Sequence, residues 1–255
     1  MPMIEKDSFA VLFRSGLEKN GLSEYCTWEI SDAFYTLTAC LLETNAVMNL
    51  TAITEPEEII VKHYADCMKL LPYLPPVSAG TKPLRLADIG TGAGFPSLPL
   101  AILRPDLRIL AVDSTQKKLE YVARTAETLG LSNLSVLCAR AEALGRDPMY
   151  RESFDIVTAR AVAAMPILSE WCLPLLKVGG CFAAMKGKNV RAELSEAEHA
   201  LSVLGGTCEV CAEEQLFPIS PDGEPSDRGT VLVRKSAKTP ALYPRDNAQT
   251  KKKPL

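Results

Sequence analysis

The sequence predicts an α/β fold: a seven-stranded, mostly parallel sheet that ends in a C-terminal antiparallel hairpin, with a helical extension at the N-terminus. Three observations predict it. From residue 84 onward, short apolar runs alternate with helical stretches, which is how a parallel sheet with crossover helices reads. One such run, Leu86-Ala87-Asp88-Ile89, feeds directly into a glycine-rich turn. The last two runs are separated by residues 218–227, whose prolines and glycine suit a hairpin loop.

Before residue 84 the apolar period is helical. Phe9, Leu12, Phe13 and Leu17 share one face of a helix over 5–20, and Ile30, Phe34, Leu37, Leu41 and Leu42 share one over 28–44. Residues 45–53 read as a connection. Pro56-Glu57-Glu58 then starts a third helix, with proline and acids where the missing N–H and the dipole tolerate them, and it stops near Pro72. Strands are predicted at 84–89, 108–113, 133–138, 154–159 and, after the turn Lys177-Val178-Gly179-Gly180, at 180–185. Helices are predicted at about 96–103, 115–129 and 190–204, and the closing strands at 208–217 and 228–235. The expected division is a helical extension over 1–75 packed on a core over 76–235, followed by a tail over 236–255.

With 255 residues, 27.7 kDa and 47% hydrophobic residues, the chain suits one large α/β domain with an appended segment. Its richest apolar stretch, 84–103, carries Arg85, Asp88, three glycines and two prolines, so it is not a membrane span. The start, Met1 to Asp7, lacks a basic flank and an apolar core, and a cytoplasmic location is expected. Eight cysteines in such a chain are expected to be reduced. Cys208 and Cys211 have CxxC spacing, but His63 and His199 are the sole histidines, so strand cysteines are favoured over a metal site and no metal is predicted. The charge is uneven. Residues 234–255 hold seven basic residues against Asp246, a net of +6, which leaves −9 on the rest of a chain whose total is −3. Such a tail suits either contact with phosphate or solubility.

Five alternating β/α units ending in a hairpin put the last strand antiparallel to the others, the arrangement of Rossmann-like methyltransferases. A dinucleotide dehydrogenase would continue into a substrate domain, for which no room remains. The turn agrees. Gly90, Gly92 and Gly94 let the backbone approach a ligand, yet the third glycine arrives one position too early for GxGxxG, and Phe95 stands there. Asp113 ends the next strand, where an acid can accept from a ribose diol or cap the following helix. Ala141 and Glu142 fall where an adenine-binding turn would lie; a plain loop is the other reading. Around Arg160, at the end of the fourth strand, no Asn/Asp-Pro-Pro-aromatic turn for exocyclic amines appears, and Cys172 and Cys181 read as core residues rather than nucleophiles. A target with its own lone pair, such as guanine N7, fits better, and no dedicated general base is predicted. Arg160 is assigned to cofactor or substrate binding, with a surface ion pair as the other reading.

On these residues the chain resembles the 16S rRNA guanine-N7 methyltransferases, also called the glucose-inhibited division protein B family. The likeness runs through Asn49-Leu50-Thr51-Ala52-Ile53, Lys62-His63-Tyr64-Ala65-Asp66, the run Asp88 to Pro96, Asp113-Ser114, Lys117-Lys118, Arg160-Ala161-Val162 and Lys186-Gly187. The ending, from Lys238-Thr239-Pro240 through Tyr243-Pro244-Arg245 to Lys253-Pro254-Leu255, is its most specific element. Ser97 departs from the family's usual glycine, and Asp246-Asn247-Ala248 replaces a typically basic stretch. The resemblance implies S-adenosylmethionine bound around Gly90, Gly92, Phe95, Asp113, Ala141, Glu142 and Arg160. It further implies transfer to N7 of a guanine in the decoding region (530-loop) of 16S rRNA, on the small ribosomal subunit or an assembly intermediate. Lys186, Lys188, Arg191, Arg234, Lys238 and Arg245 are then candidates to meet the RNA, and the N-terminal helices shape its entrance. The alternatives are a methyltransferase for a small molecule or a protein, which suits the acidic body, and a catalytically silent rRNA- or assembly-binding protein.

Overall fold

A computed structural model of the chain describes residues 4–77 and 80–255, so the expected start of the N-terminal extension, at residues 1–3, lies outside the described residues. Helices α1 (Lys6–Lys19) and α2 (Trp28–Asn45) lead to α3 (Pro56–Ile59), which runs through a π-helical segment, Ile60–Ala65, into α4 (Asp66–Met68). The seven strands follow as β1 (Leu84–Ile89), β2 (Leu107–Asp113), β3 (Leu134–Cys138), β4 (Phe154–Arg160), β5 (Leu176–Lys186), β6 (Gly206–Leu216) and β7 (Ser226–Lys235). Their order in the sheet is β3-β2-β1-β4-β5-β7-β6. All neighbours from β3 to β5 pair in parallel, and β7 is antiparallel to both β5 and β6. The chain therefore crosses to opposite sides of β1 after β1 and after β3, and the resulting crevice lies at the carboxyl ends of β1 and β4.

Alternation along the strands divides the apolar side chains between two layers. Leu86, Ile109, Ala111, Ile156 and Ala183 pack with α1, α2, the π segment, α5 (Ser97–Leu103) and α6 (Gln116–Thr128). Ala87, Ile89, Val157, Ala159 and Phe182 pack with α7 (Ala141–Arg146), α8 (Met165–Cys172) and α9 (Val190–Leu204). The first layer is rich in aromatic contacts: Phe13 meets Phe34 with ring centroids 5.3 Å apart, and Phe34 meets Tyr64 at 4.7 Å. These rings tie the N-terminal helices to the sheet.

Three helices depart from the sequence expectation. α7 has six residues, too few to show a period, and α8 is buried on every side from Met165 to Cys172 apart from half-buried Ile167, so neither carries an amphipathic stripe. α10 (Asn247–Lys252) is capped by Asp246, whose Oδ1 accepts from Gln249 N at 2.9 Å. β5 also starts four residues before its expected beginning, because Lys177–Gly180 forms an irregularity inside the strand: Phe154 pairs with Leu176 and Ile156 with Cys181. A comparable register shift at Cys208/Val210 lets both Cys208 and Cys211 pack on the second layer.

The tail does not trail from the sheet. Arg151 donates to the carbonyls of Tyr243 and Thr239 at 2.7 and 2.8 Å, and Arg146 to that of Pro244 at 2.7 Å. Fully buried Lys235 donates to Leu173 O and Thr239 Oγ1. No helix of the described residues is long and apolar enough to cross a membrane.

Candidate functional site

The glycine-rich loop after β1 places Gly90, Gly92 and Gly94 at φ of +73°, +57° and +82°. At Gly90 a Cβ would sit 2.6 Å from Val162 Cγ2, and at Gly94 2.4 Å from Leu98 Cδ1, so both positions need glycine twice over. Five of the six amides from Gly90 to Phe95 are already engaged. Gly90 and Thr91 donate to Val112 O at 2.8 and 3.0 Å, and Gly94 and Phe95 to Thr91 O at 2.9 and 3.0 Å. Gly92 donates to Asp113 Oδ2 at 3.1 Å. A phosphate cradle needs amides aimed at the anion, and these are not so aimed.

Beneath the loop lies Asp88, fully buried at the end of β1. It accepts from Ser97 Oγ at 2.5 Å and Thr158 Oγ1 at 3.0 Å, and Thr91 Oγ1 is 2.8 Å from the same serine. Burial raises the Asp88 carboxyl above its ordinary range, and the hydroxyls oppose that rise. Ser97 therefore ties the loop to the strand beneath it.

Asp113 joins two elements: Oδ2 takes the Gly92 amide, and Oδ1 takes that of Thr115 at 2.8 Å, just ahead of α6. Each oxygen keeps a further lone pair for a ligand. Gly90, Gly92, Phe95, Asp113, Ala141, Glu142 and Arg160 all line one cavity of about 480 Å³. The structure adds Thr51, His63, Val162, Trp171, Asn247 and Lys251 to its walls.

Arg160 is not a surface arginine. From the end of β4 it donates to Asp66 Oδ2 at 2.8 Å and to Lys62 O at 3.3 Å, and it lies over the Phe95 ring at 5.3 Å. Its Nη2 is 3.0 Å from His63 Nδ1. Because a guanidinium only donates, Nδ1 is the acceptor, and His63 Nε2–H must donate to Thr51 Oγ1, 2.9 Å away. Burial first, and then Arg160, lower the His63 pKa to about 3, so the ring stays neutral. It stacks on Phe95 with centroids 4.6 Å apart. Asp66 also accepts from Arg228 on β7 at 3.1 Å. The π turn carries Lys62 and His63 in this group, and such turns recur at functional sites. Beyond the presence of His63 and Asp66 in one short motif, no spacing in the sequence marks the network, since its partners lie far apart along the chain.

The residues expected to meet RNA divide into two groups. Lys188 and Lys238 are exposed and unpaired among the described residues. Arg191, exposed on α9, pairs with Glu213 at 2.8 Å. Lys186 is largely buried and sits 2.6 Å from Glu193. Two more are held by carboxylates. Arg234 is held by both oxygens of Glu209. Arg245 gives its backbone amide, Nε and Nη2 to fully buried Glu170, at 2.7, 2.9 and 2.6 Å. Its charge thus anchors the tail to α8 and is not free for phosphate.

The model of one family, described as rRNA small subunit methyltransferase G, matches residues 31–214. The chain belongs to the rRNA small subunit methyltransferase G family. Two relatives bearing the name Ribosomal RNA small subunit methyltransferase G illustrate the likeness. That of Desulfitobacterium hafniense is 45% identical over 84% of this chain and 85% of its own length, and that of Geobacillus thermodenitrificans 43% identical over 96% and 99%. Among solved structures, a geranyl diphosphate methyltransferase in complex with SAM superposes with a TM-score of 0.52 at 14% identity, covering 68% of this chain and 85% of that one. A 16S rRNA (adenine(1408)-N(1))-methyltransferase mutant from Catenulisporales acidiphilia gives 0.50 at 15%, covering 64% and 87%. These two establish the shared Rossmann-like methyltransferase fold. In this member of the methyltransferase G family, the matched span holds every cavity residue named above except Asn247 and Lys251, which the folded tail supplies.

Proposed function

We propose that this protein transfers a methyl group from S-adenosylmethionine to N7 of a specific guanine in the 530-loop of 16S rRNA, acting in the cytoplasm on the small subunit or an assembly intermediate. The observation that carries the reading is the cavity at the switch point of the sheet, with an acid at the end of β2 and loop amides turned away from any phosphate. That donor set fits a nucleoside with an amino-acid arm. The names of the relatives support rRNA as the acceptor.

In this reading Asp113 accepts the ribose hydroxyls, the chain at Ala141 and Glu142 faces the adenine, and Gly90 and Gly92 allow the arm to approach the backbone. Phe95 and Arg160 form the wall toward the acceptor. When bound, S-adenosylmethionine supplies a methyl group on a positively charged sulfur. Guanine N7 offers a lone pair and loses no proton, so the chain needs to orient the base and exclude water, with no general base. The side chains agree with that demand. Both ring nitrogens of His63 are engaged. Burial pushes the Cys172 thiol up and that of Cys181 to about 11, which disfavours a thiolate at either of the first two cysteines after the fourth strand. Residues 1–75 are read as an extension that walls the site through Thr51 and His63, 76–235 as the core, and 236–255 as a tail that closes the cavity through Lys251.

The test is calorimetric titration with S-adenosylmethionine, followed by transfer of labelled methyl to small subunits from cells lacking the endogenous modification. Micromolar binding and label in 16S rRNA are expected. Binding with label only in proteins or small molecules would reassign the acceptor, and absence of binding would point to a silent assembly protein.

A further inference from the structure

A second cavity, of about 330 Å³, adjoins the first and shares His63, Arg160 and Ala161 with it. It also lies at the carboxyl edge of the sheet, between the π segment, the ends of β4 and β5, and the first turn of α9. Ala161, at the junction, has φ of +55°, a left-handed backbone that a residue with a Cβ adopts only when its surroundings hold it there. On the far wall stand Lys186, the last residue of β5, and Glu193.

This pair is unusual in what it leaves open. Lys186 Nζ donates to Ala163 O at 2.8 Å and lies 2.6 Å from Glu193 Oε2. That ion pair buries Glu193 Oε2 against the ammonium, so Oε1, on a side chain that is 30% exposed, is the oxygen able to meet a ligand. An ammonium has three N–H groups, and a carboxylate has about four lone-pair sites. The cavity therefore presents a cationic donor with one N–H to spare beside the outer oxygen of an acid. Asp66, the other acid on this wall, is paired on both oxygens, with Arg160 and with Arg228, and so sits between two guanidinium charges.

We propose that the second cavity receives the target base and that Lys186 and Glu193 identify it as guanine. The inference rests on the RNA methyltransferase reading above. Guanine's pairing edge runs acceptor, donor, donor: O6, N1–H and the N2 amine. Lys186 donates its spare N–H to O6, and Glu193 Oε1 accepts from N1–H and N2–H, while N7, on the far side of O6, is left free toward the first cavity. Adenine would set its amine against the ammonium and its N1 lone pair against the carboxylate. Cytosine fails in the same way, and uracil would set O2 against a carboxylate oxygen. Rejection by unpaired or like-charged groups is the strong form of discrimination. Lys186 and Glu193 are thus specificity residues, distinct from cofactor residues.

The experiment compares small subunits carrying guanine or inosine, which lacks the N2 amine, at the nucleotide that the wild-type enzyme methylates. Wild type is expected to prefer guanine by roughly 10- to 100-fold in kcat/KM. Glu193→Gln should lose roughly 10- to 100-fold on guanine and distinguish the two substrates poorly, with unchanged affinity for S-adenosylmethionine. If Glu193→Gln loses cofactor binding, Glu193→Asp, which keeps a charge beside Lys186 but withdraws it by one methylene, must show the collapsed ratio. A variant that loses equally on guanine and inosine, keeping the wild-type preference, overturns the inference alone. Failure of the wild type to methylate the guanine subunits overturns the reading beneath it as well.

Discussion

Gly90 bears two separate constraints, the left-handed backbone and Val162 at 2.6 Å from any Cβ, and a branched residue would violate both before a ligand arrives. Gly90→Ala is therefore expected to cost at least about 1–2 kcal/mol in backbone strain and to lower cofactor affinity measurably by calorimetry; unchanged affinity would remove the loop from the site. Asp113→Ala should weaken S-adenosylmethionine by about 1–3 kcal/mol, because ribose hydroxyls and the Gly92 amide lose their acceptor together. Ser97→Ala leaves buried Asp88 with one fewer donor, and thermal unfolding should record a loss of about 1–3 kcal/mol. His63 gives a pH prediction whose sign follows from its lowered pKa. The unfolded chain takes up a proton near 6.5 and the folded one only near 3, so this residue makes stability fall as pH drops from about 6.5 toward 3. Its ring resonances should not titrate between pH 5 and 8, and a midpoint near 6.5 in the native protein would contradict the hydrogen-bond assignment. The glycine loop, Asp113 and the place of Ala141 and Glu142 on the cavity were legible because each follows a strand at a fixed offset, although those two residues open a helix and not the expected turn. The Thr51–His63–Arg160–Asp66–Arg228 network was not, because tertiary folding alone brings its members together.

At the scale of elements, α8 and the tail hold one another. Glu170 is fully buried on α8, and burial alone would raise its carboxyl, but the bonds from Arg245 and Thr250 prevail and hold it below the ordinary value. Its contribution is present above about pH 4.5 and lost as pH falls through the lowered folded value. Arg245→Ala would strand that carboxylate and should cost about 3 kcal/mol by denaturant unfolding, with the tail more open to proteolysis. An intact tail in that variant would show that Arg146 and Arg151 suffice. The seven strands and the closing antiparallel hairpin were legible from alternating apolar runs and the hairpin loop. α7 and α8 were not, the one for want of length and the other because an all-round buried helix shows no stripe. α10 and the docked tail were hidden for another reason: a basic run looks alike whether its charges face water or an internal carboxylate.

Over the whole molecule, the uneven charge acquires a place. Of the seven basic residues after position 233, Arg234, Lys235 and Arg245 are bound internally, and Lys238, Lys251, Lys252 and Lys253 have no carboxylate partner among the described residues. Lys251 lies over the Trp171 ring and on the rim of the first cavity. Replacing Lys251, Lys252 and Lys253 with neutral residues should flatten the salt dependence of RNA binding by roughly 0.7–0.9 for each phosphate no longer neutralised, whereas Arg234→Gln should leave the slope unchanged. An equal slope in the lysine variant would assign those charges to solubility. The central claim, that two adjoining cavities hold a methyl donor and one guanine with N7 between them, is tested most directly by mapping the modified nucleotide. Unmodified small subunits are incubated with the protein and S-adenosylmethionine, and the 16S rRNA is reduced and cleaved with aniline, which breaks the chain at N7-methylguanosine. Cleavage at a single guanine of the 530-loop is the predicted result. Label in the RNA without cleavage there, or modification at a base other than guanine, would contradict the account.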